Sequence, residues 1–360
     1  MSARPSPPAP APRGHHSVVT LAGQWFIACR SRALRSRPLG VSIQGVPLVV
    51  FRGTGGRPGV LEDRCPHRNA PLTAGRLRSG ELQCAYHGWR FDVDGTCLAV
   101  PGLAAPPEAS ATRATAFPCI EQDGYVWVHS TSGAEPRGAP FRFPHLGERR
   151  YTTVRREVEV GSTLLAALEN VLDVPHTAFL HGGLFRTSRM EKVIDVVVRR
   201  FADRCEAEFL GEQRPRGVAG RLLAPGGGVV THVDRFLLPS IAQVEYRLGE
   251  TSHLVVTTAM TPVDDFTTRL FSVATFRLPV PGFVVGPLVA PIATRILRQD
   301  ARMLSLQRQN VERFGGERFA NTELDVLGPQ IWRLLKQAER GDTPPPRDGP
   351  EHEHRLRMRL

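Results

Sequence analysis

Cys65-Pro66-His67, then sixteen residues, then Cys84-Ala85-Tyr86-His87: two Cys-His pairs stand on two short loops, each offering one thiolate and one imidazole. Two cysteines and two histidines at this spacing suit a [2Fe–2S] cluster of the Rieske type. There the cysteines hold one iron and the histidines the other, which raises the potential above that of an all-cysteine cluster. The competing reading is a structural Cys2His2 zinc site. Zinc modules pair Cys with Cys and His with His at wider spacing, and one residue between Cys65 and His67 fits zinc poorly.

The flanking residues narrow this further. Arg64-Cys-Pro-His-Arg-Asn-Ala-Pro-Leu72, Cys84-Ala-Tyr-His-Gly-Trp-Arg-Phe-Asp92 and Asp94-Gly95 resemble the Rieske domain of non-haem iron ring-hydroxylating oxygenases. Respiratory Rieske proteins carry an extra cysteine in each ligand loop, joined in a disulfide. Ala70 and Tyr86 hold those places here. Ala85 stands where the family usually has proline, a departure that touches no ligand.

A second constellation follows at Glu169-Asn170-Val-Leu-Asp173-Val-Pro-His176-Thr-Ala-Phe-Leu-His181. Asn170, Asp173 and His176 are three apart and share one face if a helix persists that far. Pro175 disrupts it before His181 is reached. Two neutral imidazoles and a carboxylate make a facial triad for Fe(II), leaving adjacent positions open. The competing reading for either histidine is a satisfied core residue.

The pattern Asn-x2-Asp-x2-His-x4-His is similar to the mononuclear iron motif of the same oxygenase family. That resemblance implies His176 and His181 as iron ligands, with Asn170 and Asp173 as accompanying catalytic residues. Asp173 matches the carboxylate that links the two metal centres across a subunit boundary. In the family the third ligand is an aspartate beginning a late helix. Gln299-Asp300-Ala-Arg-Met-Leu304, leading into Leu306, Val311 and Phe314, resembles that place, with Gln where Glu is usual. Asp264 and Asp265 compete, but Pro262 and polar neighbours there point to a turn.

Size and composition agree with such a chain. The 360 residues allow one large domain or two ordinary ones, and 41% hydrophobic with 22% charged residues describes a globular protein with a core. The net charge of +11 comes almost wholly from arginine, since Lys192 and Lys336 are the only lysines. No basic stripe is interleaved with aromatics, so nucleic acid is not an expected partner. An acidic redox partner is, because opposite charge speeds encounter. Cys29, Cys97, Cys119 and Cys205 show no regular spacing, and a reducing cytoplasm is the expected setting.

Residues 1–17, rich in Pro and Ala, are expected to be a disordered lead. Short apolar runs separated by Gly and Pro predict an all-β module over 18–135, and 136–148 reads as a linker. Within 149–341, Thr153–Val160 alternates as a strand, and a helix starts near a Ser162 cap and runs through Leu164, Leu165, Leu168 and Leu172. Further strands are expected at 194–199, 229–237, 241–247, 254–260 and 270–277, and helices at 294–314 and 327–339. Residues 342–360 read as a loose tail. Leu278–Thr294 is apolar but holds Pro279, Pro281, Pro287 and Pro291. It is shorter than the roughly 20 residues of a membrane span, so a buried loop or pocket wall is expected ahead of a membrane-surface contact.

The resemblance implies an α+β fold. An N-terminal all-β Rieske [2Fe–2S] domain precedes a helix-grip-like catalytic domain of antiparallel sheet and helices. It also implies a homotrimeric terminal oxygenase fed from NAD(P)H through a separate ferredoxin or reductase. Such an enzyme uses O2 to hydroxylate or demethylate an apolar aromatic or cyclic substrate. Dihydroxylation, desaturation of sterol-like compounds and a non-catalytic electron carrier are the alternatives. No nucleotide-binding glycine loop is present, consistent with an external reductase.

Overall fold

The computed structural model describes residues 16–105, 107, 110–136, 138–181, 193–212, 230–342 and 349–359. They fall into two units. The first is Thr20–Phe143 with Thr261–Asp264, and the second holds Pro144–Met260 and the residues from Asp265 onward, together with 16–19.

The first unit is built from short strands because its apolar runs are short and Gly-rich turns separate them. The strands are β1 (Trp25–Arg30), β2 (Leu39–Ile43), β3 (Val46–Arg52), β4 (Pro58–Glu62), β5 (Arg76–Arg78), β6 (Glu81–Gln83), β7 (Arg90–Phe91), β8 (Cys97–Ala99), β9 (Cys119–Gln122) and β10 (Tyr125–His129). They form three antiparallel sheets, ordered β1-β10-β9, β2-β3-β4 and β5-β6-β7-β8. Val49, Phe51, Leu61, Leu72, Leu82 and Phe91 pack into one core with Cys65 and Cys84. Residues 261–264 come from far along the chain: Thr261 Oγ1 donates to Ile27 O (2.8 Å), and Gln44 N to Pro262 O (2.6 Å). A linear reading of domains could not anticipate that exchange.

The second unit is one eight-stranded sheet, ordered β11-β17-β16-β15-β14-β13-β12-β18. Its strands are β11 (Thr152–Val160), β12 (Val193–Arg200), β13 (Arg204–Leu210), β14 (Val230–Leu237), β15 (Ile241–Leu248), β16 (Ser252–Asp264), β17 (Thr267–Arg277) and β18 (His352–Arg359). One face packs under helices. The other carries ion pairs in register: Arg199 to Glu208 (3.0 Å) and Glu353 (2.9 Å), and Arg235 to Glu245 (2.6 Å) and Glu206 (3.4 Å).

Burial alone would raise the Glu245 carboxyl, but hydrogen bonds from Arg235, Arg247 and His253 bring it down to about 2. A folded value below the unfolded one stabilises the fold above about pH 4.5, and that contribution is lost as pH falls to about 2. Glu245→Gln is therefore expected to cost about 2 kcal/mol in urea unfolding at pH 7. It should also flatten the acid limb of stability between pH 4.5 and 2. An unchanged acid limb would contradict this.

The helices are α1 (Leu164–Leu172), α2 (His176–Leu180), α3 (Gly282–Arg313) and α4 (Gly328–Glu339). Thr163, not Ser162, caps α1: its Oγ1 accepts from Ala166 N (3.3 Å). Leu164, Leu165, Leu168 and Leu172 are buried, and α1 lies against β14, β15 and β17.

Two expectations are corrected. The apolar run 278–294 is not a loop, because α3 begins at Gly282 and carries Pro287 and Pro291 inside it. Each proline costs a helix about 3 kcal/mol. That cost is offset by Val285, Val289 and Ala290 packing on Val154, Ala274 and Phe276 of the sheet. Phe283, by contrast, is 82% exposed.

The tail is not loose over its last stretch either. β18 pairs with β12 along eight residues, from His352↔Arg200 to Arg359↔Val193, and Met358 is buried. Most of the proline-rich lead lies outside the described residues, but at its end Ser17 N donates to Glu317 Oε2 (2.8 Å). Among the described residues no helix is long and apolar enough to cross a membrane.

Candidate metal centres

The two Cys-His loops fold alike. Cys65 N donates to Ala70 O (2.8 Å) and Asn69 N to Cys65 O (2.9 Å). In the second loop Cys84 N donates to Trp89 O (2.8 Å) and Gly88 N to Cys84 O (3.2 Å). In both loops the fifth residue has positive φ, +59° at Asn69 and +73° at Gly88, as Asn and Gly tolerate. Each loop thus turns its Cys inward and its His outward.

Cys65 and Cys84 are buried, while His87 is exposed and His67 half-buried. The two imidazoles lie 4.5 Å apart between centroids, and His67 stacks on Trp89 at 4.7 Å and 7°. Burial pushes the Cys65 thiol up to about 11. A metal ion would supply the charge that a thiolate needs here. Thiols in the core and imidazoles at the surface fit a [2Fe–2S] cluster bound through one iron on each side. All six cysteines are free.

The second constellation breaks where Pro175 predicts. α1 ends at Leu172, Asp173 is extended (φ −90°, ψ 111°), and α2 restarts at His176. His176 and His181 therefore bracket α2, and their rings come within 5.2 Å. Asp300 lies inside α3, not at a helix start as expected, because packing on the sheet extends the helix back to Gly282.

His176, His181 and Asp300 offer ligand atoms that all lie within 4.8 Å of one another. Asp300 Oδ1 is 3.1 Å from His181 Nε2 and 3.7 Å from His176 Nε2. It is buried and has no well-directed hydrogen bond. Two ligand atoms, each about 2.1 Å from one ion and at right angles, lie about 3 Å apart. The set fits a metal. Asp264, at the end of β16, and Asp265, in the turn after it, are not part of this group.

The other ring nitrogens are engaged. His176 Nδ1 meets the main-chain oxygen of Asp173 (2.5 Å), and His181 Nδ1 meets Gln299 Oε1 (3.0 Å). With those nitrogens donating, both Nε2 atoms present lone pairs. Burial disfavours an imidazolium, yet Asp300 and Gln299 hold His181 above its ordinary value. The site favours positive charge.

Gln299 is the residue that spacing alone did not single out as functional. The Asp173 carboxylate accepts from His176 N (3.3 Å), and its side chain is 41% exposed. Asn170 Oδ1 on α1 is buried and has no hydrogen-bond partner among the described residues.

Residues 24–118 match the Rieske [2Fe-2S] domain, and residues 160–340 match the vanillate O-demethylase oxygenase C-terminal domain. The chain belongs to the Rieske non-haem iron oxygenases. Membership brings two cofactors, the Rieske cluster and a mononuclear non-haem iron, and the two donor sets above fit them.

The oxygenase component of dicamba O-demethylase from Stenotrophomonas maltophilia is 33% identical over 173 residues, which is 47% of this chain and 50% of that protein. The vanillate O-demethylase oxygenase subunit of a Pseudomonas species is 26% identical over 350 residues, 86% of this chain and 92% of that one. Several curated relatives share no more than 57% of their own length with the chain. In fold, the crystal structure of dicamba monooxygenase bound to dicamba superposes with a TM-score of 0.78 at 22% identity, over 90% of this chain and 99% of that one.

Proposed function

We propose that this chain is a terminal oxygenase: with electrons from NAD(P)H through a separate ferredoxin or reductase, it uses O2 to hydroxylate or oxidatively demethylate an apolar aromatic or cyclic compound. What supports the reading is the convergence of His176 Nε2 and His181 Nε2 on the buried Asp300 Oδ1 in a chain that also carries the Cys65, His67, Cys84 and His87 loops. When bound, the cluster supplies single electrons and the mononuclear iron supplies the chemistry of O2 reduction.

The protein's own part is to hold and orient. Gln299 and the Asp173 carbonyl fix the two imidazole rings, and Asp300 contributes the negative ligand. Val285, Val289 and Ala290 pack on the sheet and so fix α3, the helix that carries Asp300.

The assembly that goes with this reading is a head-to-tail trimer, in which His87 meets the partner subunit's Asp173. The exposure of both residues and the ring closure of heterologous contacts support it. The setting is the cytoplasm, in keeping with six free thiols.

The test is a screen of methoxy- and methyl-substituted aromatic and cyclic compounds with purified protein and a surrogate ferredoxin–reductase pair, reading O2 uptake and product mass together. A product one oxygen heavier, or one lacking its methyl group, is expected. A product two hydroxyls richer or two hydrogens poorer assigns dihydroxylation or desaturation. O2 uptake that never yields product overturns the reading.

A further inference from the structure

Over its first turns α3 departs from the pattern of a surface helix. Its inner side is apolar, since Val285, Val289 and Ala290 pack on the sheet. Its outer side is apolar as well. Phe283 is 82% exposed, Val284 47% and Ile292 41%, and Pro287 and Pro291 are exposed between them. Helical spacing places these five on the half of α3 turned away from the sheet. A close approach to β11 fixes that orientation: a Cβ at Gly282 would meet Thr152 Oγ1 at 1.6 Å. A helix that is apolar all round is ordinarily buried. Here half of it faces solvent, which marks an interaction surface.

The chemistry of the patch says what covers it. From Leu278 to Ala293 no side chain is charged, and none can give or accept a hydrogen bond. A protein partner would find no polar group there to fix its register, whereas protein interfaces carry about one hydrogen bond per 100–200 Å². Acyl chains ask for none.

Beyond the apolar turns the same side of the helix becomes basic, with Arg295, Arg298 and Arg302 exposed. Asp300 is the only acid between Leu278 and Val311, and it is buried against His176 and His181. At the other end Thr152 lies against Gly282 and Gly286, and the exposed Arg149 and Arg150 stand just before it in the chain. None of these five arginines has an ion-pair partner among the described residues.

We propose that the outer face of α3 seats the protein on an anionic lipid surface, with Phe283, Val284 and Ile292 among the acyl chains and the flanking arginines on headgroup phosphates. An apolar face bracketed by unpaired cations suits that boundary. The exposed apolar stretch 283–292 is about 15 Å long by helical rise, half of a hydrocarbon core, so the helix lies on the bilayer and does not cross it. Asp300 follows Ile292 by eight residues, about 12 Å along the same helix. An apolar compound dissolved in the bilayer would therefore meet the protein near its metal ligands. That route rests on the oxygenase reading above; the lipid contact does not.

Vesicle flotation with the full metal-loaded chain tests the contact, using phosphatidylcholine vesicles with and without phosphatidylglycerol. Binding is expected to be at least about tenfold tighter with the anionic lipid. Phe283→Ser, Val284→Ser and Ile292→Ser combined leave every charge in place, and should weaken binding by more than about tenfold with cluster absorbance intact. Arg295→Gln, Arg298→Gln and Arg302→Gln combined should weaken it similarly. Arg32→Gln, Arg35→Gln and Arg37→Gln remove the same charge from an exposed stretch elsewhere, and should change binding less than about threefold.

No binding to either vesicle, full binding by the folded triple-serine chain, or an equal loss from the distant arginines overturns the proposal. A triple-serine chain that changes its mass in lipid-free solution also overturns it, and assigns the face to a second copy of the chain. Because flotation is read without turnover, a chain that binds as expected yet forms no product refutes the oxygenase reading and leaves the lipid contact standing.

Discussion

Asp300→Ala protein is expected to purify with its visible cluster spectrum intact, with one iron fewer per chain, and with product formation lowered more than about 10³-fold, equivalent to about 4 kcal/mol. The reason is geometric. Among the described residues Asp300 is the carboxylate grouped with His176 and His181, the three ligand atoms all lying within 4.8 Å of one another. Without it, two neutral imidazoles remain, and two nitrogens alone bind Fe(II) weakly.

His176→Ala and His181→Ala should behave the same way. Gln299→Ala is milder: it frees the His181 ring to turn, and loss of such a partner lowers metal affinity or activity about 10- to 100-fold. Gln299→Glu restores an acceptor and should recover most of that loss. Asp264→Ala and Asp265→Ala should keep their iron. Normal iron and normal turnover in Asp300→Ala would falsify the ligand assignment.

Asp173→Ala should separate electron entry from electron use. Its carboxylate touches no ligand nitrogen closer than 3.5 Å and is partly exposed, so both metal centres should load in full. The proposed junction with the His87 loop of the next subunit would lose its acceptor. Reduction of the cluster by a chemical donor should stay at its normal rate, while product formed per reduced cluster slows by about 10²-fold. Mixing His87→Ala chains with Asp173→Ala chains should restore part of the activity, since a mixed ring holds an intact junction. If subunits demonstrably exchange and no activity returns, transfer runs within each chain instead.

How much of this could be read from sequence depends on how local the cause is. The Cys65–His67 and Cys84–His87 loops were legible because metal chemistry is written in short spacings, and their positive-φ residues, Asn69 and Gly88, belong to the same stretches. Strands such as Val46–Arg52 and Tyr125–His129 were legible because short apolar runs and bounding glycines are local too.

What escaped is set by distant partners. The helix through Pro287 and Pro291 exists because the sheet receives Val285 and Val289, and propensity alone argues against it. β18 reads as charged tail because, at an edge, only His354, Leu356 and Met358 turn inward. β13 did carry a signal, with Cys205, Ala207 and Phe209 alternating inward, but it is short and flanked by charge. Gln299 could be noticed only as an odd neighbour of Asp300. Its contact with His181, 118 positions away, needed the fold.

The most direct measurement is the ratio of iron to acid-labile sulfide in anaerobically purified and reconstituted protein. The expected result is two sulfides with one iron beyond the two of the cluster, that extra iron vanishing in Asp300→Ala, and a cluster potential within roughly −150 to +300 mV. Iron equal to sulfide in the fully reconstituted chain would leave only an electron carrier, and stoichiometric zinc without sulfide would remove the cluster as well.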